Sequence, residues 1–346
     1  MQYPNFPNDC HSLLCQYLTP ECFEQLRHLK TQRGFTLEDL IRSGVKNPDS
    51  SIGVYAPDAQ SYTLFSPLLD PIIEAYHGFS STEHHQSDLN PDALPSMDLD
   101  PTGTYIRSTR IRVGRNLADF PLGAGVSRDE RKEIEELITA ALAQLQGDLA
   151  GDYYPLYNMD PSDQQRLIEA HFLFREGDRF LEAAGLNRDW PKSRGIFHNP
   201  NRDFLVWVNE EDQLRIISME KGGNVGSVFR RLVRAVKSLE RSLTFLKSDH
   251  LGYISSCPSN LGTAMRASVH ILLPQLAKDR EQFEAIAQAH HLQIRGKDGE
   301  HTQSSEPIFD VSNRRRLGIS EVQAVSDMMY GVAALIEAEQ SLASKS

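Results

Sequence analysis

The chain has 346 residues, 40% of them hydrophobic and 24% charged, a balance that suits well-packed globular domains and excludes a disordered class. Its formal net charge of -11 argues against a nucleic-acid partner or an anionic membrane surface, so a bound nucleotide needs a local arginine cluster. The amino terminus shows no signal-peptide pattern and no stretch is apolar enough to span a bilayer. The four cysteines, Cys10, Cys15, Cys22 and Cys257, match neither a zinc pattern nor an extracellular disulfide framework, which makes a reducing cytoplasm the simplest setting.

Residues 1–80 read as a small all-helical domain. Leu13, Leu14, Tyr17 and Leu18 form one apolar stripe and Cys22, Phe23, Leu26 and Leu29 another, and Thr36 caps a further helix through Leu40 and Ile41. Between Asp49 and Asp58 lies a small-residue loop whose Gly53 either lets the backbone approach a ligand or simply joins two helices. After a helix over residues 67–79, residues 81–103 turn polar and proline-rich and read as a linker. His84 and His85 inside it read as solvated, having no third ligand at metal spacing.

From residue 104 the pattern changes. Residues 105–113 alternate, so a strand places Ser108, Arg110 and Arg112 on one face and Thr109, Ile111 and Val113 on the other. Two arginines on one strand face suit water or phosphate, to which the planar guanidinium is matched in charge and geometry. Ser127 opens an amphipathic helix through Ile134, Ile138 and Ala141. Residues 152–159 read as a strand and 162–173 as a helix, with His171 as a core histidine among apolar neighbours. Three strand-like segments follow, at 195–199, 204–208 and 214–219. The acidic turn Glu210-Glu211-Asp212 beside Arg215, on an otherwise apolar strand, suggests an opposed-charge site. The glycine-rich turn 221–226 lacks a Walker ending and reads as the cap of a long helix reaching about residue 246.

The most distinctive run is Cys257-Pro258-Ser259-Asn260-Leu261-Gly262-Thr263. Pro258 and Gly262 end any regular element there. The thiol is then either presented, with Ser255, Thr263 and Arg266 near in sequence to favour its thiolate, or buried as a structural cysteine. Residues 267–274 read as a strand, 278–291 as a surface helix, and 293–302 as a mobile loop carrying Arg295 and Glu300. A strand from residue 308 completes the sheet, and a last helix starts near Ser320.

The run at Cys257 resembles the active-site signature of the phosphagen (guanidino) kinases, and six segments from Asp49 to Asn313 are similar to that family, most of all to its arginine kinases. The resemblance implies an α+β fold: a small all-α N-terminal domain, then a larger catalytic domain over 104–346 with an antiparallel β-sheet flanked by α-helices. It assigns Ser51, Ile52, Gly53, Val54 and Tyr55 to the substrate's amino-acid end, with Ser51 standing where the family usually has glycine. It assigns ATP to Ser108, Thr109, Arg110, Ile111, Arg112, Arg215, Arg266 and Arg295, with His171 and His270 beside the adenine. Glu211, Cys257 and Glu300 would meet the guanidino group, and Arg179 would pair with Asp49 on domain closure. Mg2+ is expected on the nucleotide rather than on side chains. L-arginine and ATP/ADP are the expected partners, with a monomer as the working state.

The implied chemistry is coherent. Phosphoryl transfer needs alignment and charge neutralisation, which five arginines and Mg2+ can supply in place of a Walker lysine. A guanidinium, with a pKa above about 12, must lose a proton before it attacks, which asks for carboxylates such as Glu211 and Glu300. A Cys257 thiolate would act electrostatically and not as a nucleophile. The expected activity is reversible ATP:L-arginine phosphotransfer. The alternatives are a kinase of taurocyamine, lombricine or creatine, a protein-arginine kinase, against which the small helical domain counts, and a silent nucleotide-binding regulatory protein.

Overall fold

The computed structural model describes residues 1–296 and 307–344, so Glu300 lies outside the described residues. In chain order the strands are β1 (Ile106–Arg115), β2 (Asp152–Pro155), β3 (Gly195–His198), β4 (Phe204–Val208), β5 (Leu214–Lys221), β6 (Lys247–Ser248), β7 (Gly252–Tyr253), β8 (Met265–Leu272), β9 (Leu292–Gly296) and β10 (Ile308–Asn313). Strands β6 and β7 make a short hairpin. The other eight form one sheet in the order β2-β3-β4-β5-β1-β8-β10-β9, with every neighbouring pair antiparallel.

The alternation in β1 decides what each face of this sheet does. After an irregularity between Ile106 and Ser108, Thr109, Ile111 and Val113 point to the covered face, where helices Arg128–Leu142, Val225–Leu239 and Glu321–Ala343 pack over them. Each helix begins at a capping side chain, Ser127, Asn224 or Ser320 respectively, which satisfies otherwise unpaired N–H groups of the first turn. Burial of each Leu, Ile or Phe there stabilises the fold by about 1.5–3 kcal/mol. Ser108, Arg110, Arg112 and Gly114 face the other way.

The small domain packs helices Leu13–Tyr17, Pro20–Leu26, Leu37–Lys46, Ser61–Leu64 and Ser66–His77 around Leu14, Phe23, Leu40, Phe65 and Leu69. Its core continues without a break into Ile254, Cys257, Leu261 and Leu317 of the larger domain. Apolar packing therefore brings the cysteine segment to the domain junction.

Several expectations are corrected. The helix from Val225 ends at Leu239 and not near 246, because the chain turns so that Phe245 can bridge to Leu117. The expected helix over 162–173 is Pro161–Glu169, and His171, at φ 59°, is exposed and not part of a core. His85 is buried and not solvated: its backbone N–H bonds the Asp249 carbonyl at 3.1 Å, and its ring packs at Gly252. Cys10 and Cys15 form a disulfide, although their spacing indicated no extracellular disulfide framework. Among the described residues no helix is long and apolar enough to cross a membrane.

Candidate active site

The acidic turn between β4 and β5 is held as firmly as a strand. Asn209 donates from its side chain to the carbonyls of Arg131 and Ser193, at 3.0 and 2.8 Å. Gln213 accepts from the Leu117 N–H at 2.8 Å and donates from its own N–H to Asn116 at 3.0 Å. Pinned on both sides, Glu211 accepts from Arg215 Nη2 and from Asn260 Nδ2, each at 3.1 Å. Burial pushes its carboxyl up to about 7 despite Arg215, and the neighbouring Asp212 and Glu210 push it the same way. Arg215 itself, although burial opposes it, is held more firmly protonated by Glu210, Glu211 and Asp212. The two shifts agree physically, because one guanidinium is shared among three carboxylates and Glu211 receives only part of its field.

On the uncovered face of the sheet, register lines the cations up in rows about 7 Å apart. Arg112 on β1 lies opposite Arg266 on β8, and Arg215 on β5 opposite Gly114 on β1. Arg110 lies opposite Ser268, and a third row runs from Ser108 through His270 and Asp310 to Arg295. Arg112, Arg215, Arg266 and Arg316 line one small pocket. Burial, then the positive neighbours Arg266 and Arg215, lowers Arg110 to about 10, and burial with the same crowding pushes Arg112 well down. Arg110 lies 5.2 Å from the Trp207 ring centre, yet its Nε and Nη2 are buried without a hydrogen-bond acceptor, as is Arg266 Nε. Buried cationic donors left without acceptors fit a polyanion such as a nucleotide's phosphates.

Arg266 donates to Asp310 at 3.0 Å, and His270 lies 3.9 Å from the same carboxylate. Burial outweighs Asp310 and lowers the His270 pKa, with the nearby His171 adding to the effect. The two histidines expected at the adenine are thus close together at one end of the arginine rows. Thr109 and Ile111 point into the covered face, so any part they take in binding is through their backbone.

Around Cys257 the chain leaves β7, makes a tight turn over Pro258–Asn260, and passes through Gly262 at φ 86°. A side chain at Gly262 would meet the Arg316 carbonyl oxygen at 2.4 Å, so only glycine fits this approach. Cys257 Sγ lies 3.0 Å from Ser259 Oγ. The expected thiolate is not the form this site favours: burial, then Glu211, pushes the thiol up to about 12, against the pull of Ser259 and Arg316. Arg316, and not Arg266, is the cation that acts on the sulfur. Arg316 also donates to the Ser259 carbonyl at 3.0 Å and to Asn260 Oδ1.

The small domain is bonded directly to this segment. Ala56 N–H donates to the Ser256 carbonyl at 2.7 Å, and the Tyr62 hydroxyl donates to the Ser255 carbonyl at 2.7 Å. Tyr55 is held protonated by burial first, with the acidic groups Cys257 and Glu211 adding to the effect. Ile52 and Val54 turn their side chains into the small-domain core. The carbonyls of Ser51, Ile52 and Gly53 accept from Leu13, Leu14 and Gly44, at 3.0, 2.9 and 3.1 Å. Among the described residues, the N–H groups of Ile52, Gly53 and Val54 meet no acceptor. Asp49 pairs with Arg179, whose Nη1 donates to it at 2.9 Å and to Asn47 Oδ1 at 3.0 Å.

The sequence reading missed Arg316, Asn260, Asp310 and Trp207. Arg316 stands in the run Arg314-Arg315-Arg316, where nothing in the order of residues separates it from Arg315, which pairs with Asp327 at 2.6 Å.

A face of clustered arginines, on which Arg110 Nε and Nη2 and Arg266 Nε are buried without acceptors, beside a carboxylate of raised pKa, defines a phosphotransferase-type site. The model of the ATP:guanido phosphotransferase N-terminal domain matches residues 8–74, and that of the C-terminal catalytic domain matches residues 133–342. The chain belongs to this family. It is 51% identical over 335 residues to an arginine kinase of Penaeus vannamei, covering 96% of this chain and 94% of that one. It is 55% identical over 334 residues to an arginine kinase of Anthopleura japonica, covering 95% of this chain but 47% of that longer one. Among solved structures, a lombricine kinase superimposes with a TM-score of 0.90 at 39% identity, covering 99% of this chain and 96% of that one. The duplicated taurocyamine kinase of Schistosoma mansoni, with bound transition-state-analogue components, gives 0.91 at 44% identity, covering 96% of this chain and 47% of that one.

Proposed function

We propose that the chain transfers the γ-phosphoryl group of ATP reversibly to a guanidino nitrogen of L-arginine, giving phosphoarginine and ADP. The observation that carries this reading is the buried carboxylate of Glu211, held by Arg215 and Asn260 at the edge of the arginine rows, with burial pushing its pKa up. A guanidinium offers no lone pair until a proton leaves, and a base whose pKa lies near the working pH takes that proton efficiently. Glu211 orients the fork of the acceptor and receives its proton, and Glu300 is assigned the second carboxylate contact. Cys257 adds negative potential once a cation lies against it.

Arg110, Arg112, Arg215, Arg266 and Arg295 hold the phosphates. Magnesium carried on the nucleotide supplies further charge neutralisation when bound. The open N–H groups of Ile52, Gly53 and Val54 suit the acceptor's carboxylate, so residues 1–80 would select the acceptor and residues 104–346 would hold the nucleotide. The proposed setting is the cytoplasm, where ATP is supplied. The proposed working unit is a single chain, because one chain carries all of these groups.

A second reading, another guanidino acceptor, is favoured by the closeness of the fold to a taurocyamine kinase and a lombricine kinase. Both readings are tested by ADP release from purified protein with Mg-ATP and a panel of L-arginine, taurocyamine, lombricine and creatine. The first requires the highest kcat/KM with L-arginine. No release above background with L-arginine would overturn it, and preference for another acceptor would establish the second.

A further inference from the structure

The disulfide between Cys10 and Cys15 lies far in sequence from the sheet but directly under the loop assigned to the acceptor's carboxylate. Both cysteines are half-buried, so an external thiol can reach them. The six-residue ring that they close carries several groups that meet this loop. Cys10 Sγ lies 3.3 Å from the Pro48 carbonyl oxygen. Leu13 and Leu14, between the two cysteines, donate their N–H groups to the carbonyls of Ser51 and Ile52. Leu14 also lies under Gly53, where an added Cβ would approach its own Cβ to 2.7 Å, and Ser12 Oγ would be 3.4 Å from the same point.

Ser12 ties the ring together. Its Oγ accepts from the Cys15 N–H at 3.2 Å, capping the helix Leu13–Tyr17, and lies 3.1 Å from Cys15 Sγ. That helix has only five residues, too few to hold its shape alone, so the cross-link does work that helix propensity cannot. The loop that it supports also bears Asp49, whose pairing with Arg179 joins the two domains.

We propose that Cys10 and Cys15 are a reversible thiol–disulfide modification site that sets affinity for the acceptor through the loop 47–55. A dithiol reductant is the co-reactant. Its thiolate attacks one sulfur, the S–S bond breaks, and the departing sulfur takes a proton. The reductant's second thiol then displaces the mixed disulfide, leaving two cysteine thiols and an oxidised reductant. In the reduced state the Leu13 and Leu14 donors are no longer held in one ring, and the carbonyls of Ser51 and Ile52 lose fixed partners. The N–H groups of Ile52, Gly53 and Val54 then sample directions that do not converge on a carboxylate. This inference rests on reading residues 51–55 as the acceptor's loop.

The test uses the full chain, oxidised or treated with dithiothreitol, with thiols counted by alkylation and peptide mass spectrometry. Hydrogen exchange of residues 47–55 reads the loop without any turnover. Steady-state kinetics read KM for L-arginine and for ATP. Reduction is expected to speed exchange in 47–55 and raise KM for L-arginine about three- to tenfold, with KM for ATP unchanged. Cys15→Ser should show the reduced values whatever the reductant, which separates this site from oxidation of Cys257, because Cys257 is intact in that variant. Equal exchange of 47–55 in the two states overturns the proposal even if the protein turns over no L-arginine. Faster exchange with an unchanged KM for L-arginine overturns the link to affinity. A reductant response retained by Cys15→Ser overturns the assignment to this pair.

Discussion

Replacing Glu211 by Gln should make the protein more stable and nearly inactive, the opposite of what loss of an ion pair with Arg215 suggests. The carboxyl rises from its ordinary 4.5 to about 7 because burial outweighs the share of Arg215 it receives. A raised carboxyl pKa means that the folded state binds the proton more tightly than the unfolded chain. Its stabilising effect is therefore complete below the unfolded pKa and lost as pH rises through the folded one. At pH 8 the ionised Glu211 costs on the order of 3 kcal/mol relative to a neutral side chain, since each pKa unit is about 1.4 kcal/mol. Glutamine is neutral at every pH, so E211Q should unfold at higher urea than the parent at pH 8, by up to about 3 kcal/mol, and the gap should shrink to below about 1 kcal/mol at pH 5. The same variant should lose about 10²–10⁴ in kcat. The acid limb of the parent's pH–rate profile, centred near 7, should vanish from whatever rate remains. A variant that is less stable than the parent at pH 8, by an amount that does not change on going to pH 5, would refute the reasoning.

Other consequences are equally concrete. Arg110→Ala removes a buried cation whose Nε and Nη2 have no acceptor, so it should weaken ADP binding about 10–100-fold in calorimetry while leaving thermal stability equal or higher. Cys257 in the free protein should alkylate slowly at pH 8, with a rate that keeps climbing toward about 12, when followed on its own peptide by mass spectrometry. Gly53→Ala places a Cβ at φ 87° and 2.7 Å from Leu14 Cβ, and should cost at least about 1–2 kcal/mol in urea unfolding and raise KM for L-arginine more than KM for ATP. Asp49→Arg and Arg179→Asp should each raise KM for L-arginine, and the double exchange should recover part of the loss, a non-additivity that kinetics on the four proteins would reveal.

Local chemistry explains which parts of the molecule were legible in advance. The alternation of β1 placed Arg110 and Arg112 on one face because a strand has a period of two, and Thr36, Ser127 and Ser320 announced helix starts because a hydroxyl before an apolar repeat satisfies free N–H groups. Where the outcome depended on distant partners, the reading failed. His171 sits among Ala170 and Phe172 in sequence, yet a left-handed turn directs it outward to the neighbourhood of His270. His85 looks solvated beside His84, yet the chain lays it against Gly252.

The sequence by itself determined the kinds of groups available: cationic forks at alternate positions of a strand, a carboxylate turn before Arg215, and a cysteine turn that proline and glycine keep out of regular structure. Only the tertiary structure decided their state. Register set Arg112 opposite Arg266, the joined cores brought Cys257 under the small domain, and the resulting loss of water moved Glu211 up to about 7 and kept the Cys257 sulfur protonated. The physical reason is that spacing along a chain is a local property, whereas a proton's affinity depends on every charge and every missing water around it, and those are gathered only when distant segments pack together.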